Sequence, residues 1–460
     1  MARQPLMASS GWLLQQEAAD GVAIALCADE FLCSRAGPSR RQATCAIADC
    51  VGVDALGMTL QVHHMPQVGS CCKGERVLRS VRVACTSEEQ AATWRLEILR
   101  QIRASGGGGA PEEHGADAGP KRRRLLVIIN PRSGQGHAVR VWEAHRPVLE
   151  AASITIADVV LTTHASHARE VAAELDLRLY DGVLIVSGDG VMHEVVNGLA
   201  ARPDADDTFA TLCLATIPGG SANSLATSLL KAADEPSEPL SAAAASAAFL
   251  IARGNTAPLD LWRVSQPAPG RCGAAFLSLE WALASDIDIG SEEWRWMGSL
   301  RFDLYALWRL LTLWTYRGSL RARDAAGGAR EFSGPFHSVW ACNMRWLTPS
   351  AQLAPRAELD DGLADLLVVE VGPRANRWSM LRSFTDLRSG EHAQAPWMSY
   401  IKTKSFELRP LKRTSNRPGN LALDGEVWPL ADTTVEVDQG RLRLLGTAAP
   451  AHGAHGADRA

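Results

Sequence analysis

The 460-residue sequence lacks a surplus of either charge: 47 Lys and Arg stand against 51 Asp and Glu, a formal net charge of −4. That balance excludes the basic excess of a nucleic-acid binder. Long apolar runs are also missing. No stretch reaches the ~18 uninterrupted apolar residues of a membrane span, and the opening MARQPLMASSGWLLQQEAAD is too short in apolar run and too polar for a good secretory signal. Seven of the ten cysteines precede Arg100, but none forms a CxxC pair, and the adjacent Cys71 and Cys72 suit neither one ligand set nor one bridge pattern. Buried free thiols in a reducing compartment are therefore expected. The chain has no GxGxxG and no GxxxxGK[ST], which excludes an ordinary dinucleotide fingerprint and a Walker loop. His193 and Glu194 open an H-E-x-x pattern, yet Asn197 stands where the second zinc ligand would be, so His193 reads as a structural helix residue.

What is present is ample apolar material, 46% of residues, over a length that exceeds one core of roughly 100 to 200 residues. Residues 1–104 hold short apolar runs such as GVAIALC and MTLQVHH. They close on VRVACTSEEQAATWRLEILRQI, a strand and then a Ser-capped helix with apolar Trp94, Leu96 and Leu99. Strands followed by one helix resemble a pleckstrin-homology-like module, and an arbitrary small β-rich domain fits equally well. Residues 105–122, rich in Gly, Pro, Ala and charge, read as a flexible linker.

Across residues 123–263 short apolar runs alternate with amphipathic helices, which predicts an α/β domain with a parallel, doubly wound sheet. Residues 264–446 follow one another mainly as strands, among them FHSVWACNM, LADLLVVEV and TTVEVDQGRLRLL, and predict an antiparallel β-sandwich. Its longest helix, RFDLYALWRLLTLWTY, carries Leu304, Leu307, Trp308, Leu311 and Trp314 at helical spacing, a face for the core or for lining a cavity. The low-complexity residues 447–460 predict a disordered tail.

Three glycine-rich turns each follow a strand of the α/β domain: NPRSGQG from Asn130, SGDG from Ser187 and PGGSAN from Pro218. In an open α/β sheet, ligands bind at the strands' carboxyl ends. Glycines there let backbone N–H groups approach a ligand, and the following helix adds its positive end, so a phosphate is the ligand suggested.

In order, INPRSGQGHA, SGDGVMHEVVNGL, IPGGSANSLATSL, LSLEWALASDIDIGSEEWRWMGSLRF, DDGLADLLVV and LDGEVW resemble the blocks of the diacylglycerol-kinase-type lipid kinases, most closely the sphingosine kinases. The resemblance covers residues 123–446. It implies an α/β nucleotide domain, a β-rich lipid-binding domain, and ATP with Mg2+ in the cleft between them.

By this resemblance Asp189 of SGDG would be the general base that takes the proton of the lipid's primary hydroxyl. Asn130, Pro131, Arg132, Thr162, Glu194, Gly220, Ser221, Ala222, Asp424, Gly425 and Glu426 would form the nucleotide site. Arg295 and Arg301 would contact the phosphates and offset the charge that builds up on the transferring group. Ser187, Gly188, Gly190 and Ser278 would lie near the lipid's polar head, with Asp288 as the acidic contact and Asp286 sharing or orienting that role. A solvated loop or a metal contact is the other reading of this D-x-D; no residue set is assigned as a resident metal site. The sequence departs from the family at Gln135 and His137, where relatives carry lysines, at Ala222 in GGSANSLA, and at Glu280, where relatives are small.

The implied substrate is a sphingoid base, whose ammonium suits a carboxylate beside an apolar cavity. A ceramide or diacylglycerol kinase, or a membrane-targeting regulatory protein with a degenerate kinase module, are the alternatives. The expected setting is cytoplasmic, with peripheral attachment to a membrane surface, no nucleic acid, and a homodimer left open.

Overall fold

A computed structural model of the chain describes residues 12–17, 22–27, 30–35, 42–68, 74–105, 123–220, 223–268, 270–291, 294, 297, 300–324, 327–411 and 419–448. Apart from Ser105 the expected linker lies outside them, as does the expected tail from residue 449 onward.

Among its described residues the N-terminal unit has three antiparallel sheets: one of four strands between residues 12 and 46, one of three made by Cys50–Leu56, Thr59–His64 and Arg79–Ala84, and the short pair Gln67–Val68 with Glu75–Arg76. Helix Glu88–Ala104 follows. Its start is capped as the sequence suggests, with Ser87 Oγ accepting the Gln90 N–H at 3.0 Å. Trp94 is fully buried and meets Phe31 edge-on at 6.1 Å, whereas Leu96 is exposed. Two buried arginines tie this unit to the next domain. Arg76 pairs with Glu235 at 2.6 Å, and Arg253 donates to the carbonyls of Ile47 and Cys50 at 3.1 and 3.0 Å.

In the α/β domain, strands Thr155–Leu161, Arg124–Ile129, Gly182–Ser187 and Cys213–Pro218 run parallel in that spatial order. All six residues of Gly182–Ser187 are buried, as a central parallel strand covered by helices on both faces requires. The sheet continues: Thr433–Leu445, the last strand, pairs parallel with Cys213–Pro218 and antiparallel with Thr256–Gln266 and Ser405–Pro410. Both halves of the protein thus share one sheet of ten strands. The boundary read at 263–264 falls inside the Thr256–Gln266 strand, and the chain's end returns to the first domain.

A second, fully antiparallel sheet of six strands has Ser278–Ala282 between Phe336–Cys342 and Leu421–Leu423. Trp262, Trp281, Tyr316, Phe336, Leu408 and Val435 form the core that joins it to the long sheet. Alternation along Ser278–Ala282 sends Leu279 and Trp281 into that core and turns Ser278 and Glu280 to the other face. The structure contains free cysteines, as expected: Cys45, Cys50, Cys85, Cys213 and Cys342 are buried, Cys33 is half-buried and Cys272 exposed. Among the described residues no helix is long and apolar enough to cross a membrane.

Candidate active site

The three glycine-rich turns meet at the carboxyl edge of the parallel strands. Ser133 and Ser187 share a hydroxyl–hydroxyl hydrogen bond of 2.9 Å, and the Gly219 N–H donates to the Ser187 carbonyl at 3.0 Å. Gly134 has φ +56°, and a Cβ there would stand 2.4 Å from the Gly219 carbonyl oxygen, so the closeness of the first and third turns depends on a residue without a side chain. Asn130 shapes the first turn by accepting the Arg132 N–H at 3.0 Å. Asn223 closes the third, donating to the Gly220 carbonyl at 2.7 Å and accepting the Gly220 N–H at 3.1 Å. Pro131 follows Asn130 in the first turn, and the half-buried Thr162 directly follows the neighbouring strand, its N–H on the Ile129 carbonyl at 2.9 Å.

Asp189 opens helix Asp189–Ala200 directly after Gly188. Its buried carboxylate accepts the N–H of Ser224 at 2.6 Å and of Leu225 at 3.2 Å, so it also caps the neighbouring helix Ser224–Ala232. Burial raises its pKa above the ordinary carboxylate range. The nearby Asp424 adds to the rise, and the two backbone donors oppose it. A carboxylate has about four lone-pair positions, so acceptor capacity remains for a substrate hydroxyl.

The sandwich delivers its residues to the same place. Asp424, with φ +51°, accepts the N–H groups of Phe276, Leu277 and Ser278 at 3.1, 2.9 and 3.0 Å, fixing the 424–426 turn against the start of Ser278–Ala282. It also accepts from His193 Nδ1 at 2.8 Å. A Cβ on Gly425 would lie 3.3 Å from Asp288 Oδ2, and one on Gly190 would lie 3.3 Å from Glu426 Oε1. These approaches bring Asp288 and Glu426 to the cleft at the 424–426 turn and Gly190, and Asp424 lies near enough to the buried Asp189 and Glu280 to raise the pKa of each. Next to it Leu277, Trp340, Cys342, Met344 and Leu353, together with Ser278, line a mainly apolar crevice.

The diacylglycerol kinase catalytic domain family matches residues 124–264, and the C-terminal NAD kinase beta sandwich-like domain family matches residues 286–446. Sphingosine kinase 1 of Arabidopsis thaliana is 34% identical over 358 residues, covering 70% of this chain and 71% of the relative. The chain belongs to the sphingosine kinase family. Human sphingosine kinase 1 is 31% identical, covering 67% of this chain and 87% of the relative. In fold, the chain matches a crystal structure of a diacylglycerol kinase from Bacillus anthracis with a TM-score of 0.50 at 20% identity, over 71% of this chain and 98% of that one.

Within this sphingosine kinase family member, several expected site residues have other work. Asp286 is turned away from the cleft: its carboxylate pairs with the buried Arg309 at 2.8 Å, accepts from Tyr316 Oη, and accepts the side-chain amide of Asn420 at 3.2 Å. The reason is helical. Asp286 and Asp288 both lie in helix Leu283–Gly290, where residues two apart project about 200° apart, so the pair cannot share one receptor. Both oxygens of Glu194 are engaged by the N–H groups of Ser166 and Ala168 at 3.0 and 3.1 Å, which caps helix His167–Ala173 instead of offering a free carboxylate to a nucleotide. Leu304, Leu307, Trp308 and Leu311 neither join the core nor line the crevice, since each is between 41% and 45% exposed; Trp314 alone packs on the sandwich core. Ser221, Ala222 and Arg295 lie outside the described residues, and Arg301 is in the first turn of helix Leu300–Thr312.

His193 is the residue that sequence reasoning missed. Burial alone would lower its pKa, but the hydrogen bond to Asp424 and the charges of Asp424 and Glu426 outweigh that and raise it. It links the two domains, and the incomplete H-E-x-x pattern concealed this role by offering a more familiar one.

Proposed function

We propose that this protein is an ATP-dependent kinase of sphingoid bases. Asp189 takes the proton of the primary hydroxyl while that oxygen bonds to the γ-phosphorus, the bond from phosphorus to the bridging oxygen breaks, and ADP leaves. The observation that carries this reading is the meeting of a buried carboxylate whose pKa is raised with two glycine-lined turns a Cβ would fill. A base positioned in this way contributes roughly 10²- to 10⁴-fold in rate. Backbone N–H groups of the first turn, around Gly134, would hold the phosphates.

Asp288, facing the 424–426 turn, is the receptor for the ammonium of the base. Each methylene buried is worth roughly 0.8 kcal/mol, so the tail supplies affinity and the head group sets the reacting geometry. Among the described residues no group of three or more His, Cys, Asp or Glu side chains could hold a metal ion. Mg2+ would be carried in by the triphosphate, largely hydrated, and would offset phosphate charge.

The exposed stripe of Leu304, Leu307, Trp308 and Leu311 supports peripheral attachment of a cytoplasmic enzyme to the membrane that supplies its lipid. Turnover of sphingosine, ceramide and diacylglycerol measured side by side with ATP and Mg2+ tests the whole reading. Sphingosine is expected to be phosphorylated preferentially, because only it carries the ammonium. Equal or faster turnover of ceramide or diacylglycerol would reassign the substrate.

A further inference from the structure

Two of the helices that start at the cleft end on the N-terminal unit. Helix Ala138–Ala151 begins directly after the first glycine-rich turn, and its 14 residues carry the chain about 21 Å away from it. At its far end Gly52 lies so close that a Cβ there would stand 1.8 Å from the Ala151 carbonyl oxygen. Val51 and Met65 of the N-terminal unit share one core with Trp142 and Leu149 of the same helix.

Helix Ser224–Ala232 is the second. Asp189 caps its first turn by accepting the Ser224 and Leu225 N–H groups. Just beyond its last turn stands Glu235, whose N–H folds back on the Leu230 carbonyl at 2.8 Å. The buried Glu235 carboxylate accepts Arg76 Nε at 2.9 Å and Nη2 at 2.6 Å, together with the Ser246 hydroxyl at 3.0 Å. Arg76 in turn lies over the Phe249 ring at 3.6 Å and is held within its own unit by Asp49 at 2.8 Å and the Met65 carbonyl at 2.6 Å. Helix Leu240–Arg253 completes the contact, because Arg253 donates to the Ser105 carbonyl at 2.9 Å as well as to those of Ile47 and Cys50.

A buried charge is tolerated only when it is paired and hydrogen-bonded, which fixes its partners in place. Packed helices carry such a constraint along their length, and a misplacement of about 1 Å at the reacting groups can cost on the order of 10²-fold in rate. We propose that the N-terminal unit is a positioning element of the kinase site. By holding Ala151 and Glu235 it fixes the first glycine-rich turn through one helix and Asp189 through the other. Asp288 stands outside this path, in helix Leu283–Gly290. The kinetic consequence rests on the kinase reading above; the mechanical link rests on the contacts alone.

The test uses the full-length protein with Arg76→Met, which deprives the Glu235 carboxylate of its fork of donors, and with Gly52→Ala, which presses on Ala151. Kinetics with ATP and sphingosine and amide hydrogen exchange are measured well below the melting temperature of each protein. In both variants the KM for ATP is expected to rise about tenfold and kcat to fall, with the KM for sphingosine within about twofold of the unchanged enzyme. Exchange is expected to quicken at residues 130–140 and 223–228 but not in the strand Phe336–Cys342. If exchange quickens across Cys50–Leu56 and Thr59–His64 while those turns, the KM for ATP and kcat stay unchanged, the unit is a passenger and the proposal is overturned. Equal rises in both KM values would also overturn it. Should Arg76→Met not fold, Arg76→Lys, which keeps the charge and loses the fork, is measured in its place against the same outcomes. Failure of the unchanged protein to phosphorylate sphingosine would overturn the functional reading instead, and the exchange comparison would then decide the mechanical link by itself.

Discussion

His193 Nδ1 and Asp424 Oδ2 stand 2.8 Å apart although 231 residues separate them in the chain. The first comes from the helix behind Asp189 and the second from the turn of the sandwich that also binds the N–H groups of Phe276, Leu277 and Ser278. This one ion-pair contact couples the helix that positions the base to the strand that carries Ser278 and Glu280.

The pairing has a definite pH signature. The folded-state pKa of His193 is raised above its ordinary 6.5, so the stability it contributes is fully present below that value and is lost as pH rises through the folded pKa. Comparing the melting temperature of the protein with that of His193→Gln between about pH 6 and pH 9 is expected to show the largest deficit at the acidic end. A deficit that grows as pH rises would contradict the pairing.

Two aspartates two residues apart are expected to separate completely on mutation. Asp286→Asn leaves the buried Arg309 short of its counter-charge and is expected to destabilise the fold by about 3–5 kcal/mol. Asp288→Asn is expected to fold normally and to raise the KM for the lipid at least about tenfold while the KM for ATP stays put. Thermal melts and the two KM values check this, and an equal loss of both affinities in Asp288→Asn would defeat the head-group assignment.

Gly134→Ala adds a Cβ 2.4 Å from the Gly219 carbonyl oxygen at φ +56°. The turn must open, so the KM for ATP is expected to rise about tenfold or more with the lipid KM little changed. Unaltered ATP kinetics would remove the first turn from the phosphate cradle.

Replacing Leu307 and Trp308 together by Asp on the exposed helix face is expected to weaken sedimentation with phospholipid vesicles at least about tenfold. Turnover of a detergent-solubilised base should be unchanged. Full vesicle binding by the variant would place the membrane contact elsewhere.

Much of this architecture was legible because it rests on local pattern. The alternation of LLVIIN-like runs with amphipathic helices is the signature of buried parallel strands, and three glycine-rich turns after three strands converge by topology alone. The remainder depends on directions that a linear pattern does not encode. Asp286 and Asp288 look like one motif in the sequence, but helical geometry points them apart. Glu194 caps a helix whose start, Ser166, has φ +66°, a conformation no capping pattern announced. The stripe from Leu304 to Leu311 has the spacing of a core face, yet the helix buries its other side, Ala306, Arg309 and Leu310, and leaves the stripe exposed. Glu280 stood out in sequence only as a departure from the family, and its burial on the Ser278–Ala282 strand follows from strand alternation that the departure alone did not reveal.

The most direct measurement is phosphoryl transfer by Asp189→Asn, with ATP, Mg2+ and sphingosine, alongside its melting temperature and its affinity for ATP. Asn keeps one oxygen to accept the Ser224 N–H and cannot take a proton at neutral pH. Turnover should fall by roughly 10²- to 10⁴-fold in a protein that still folds and binds nucleotide. Near-normal turnover, whatever happens to stability, would make Asp189 a helix cap and nothing more.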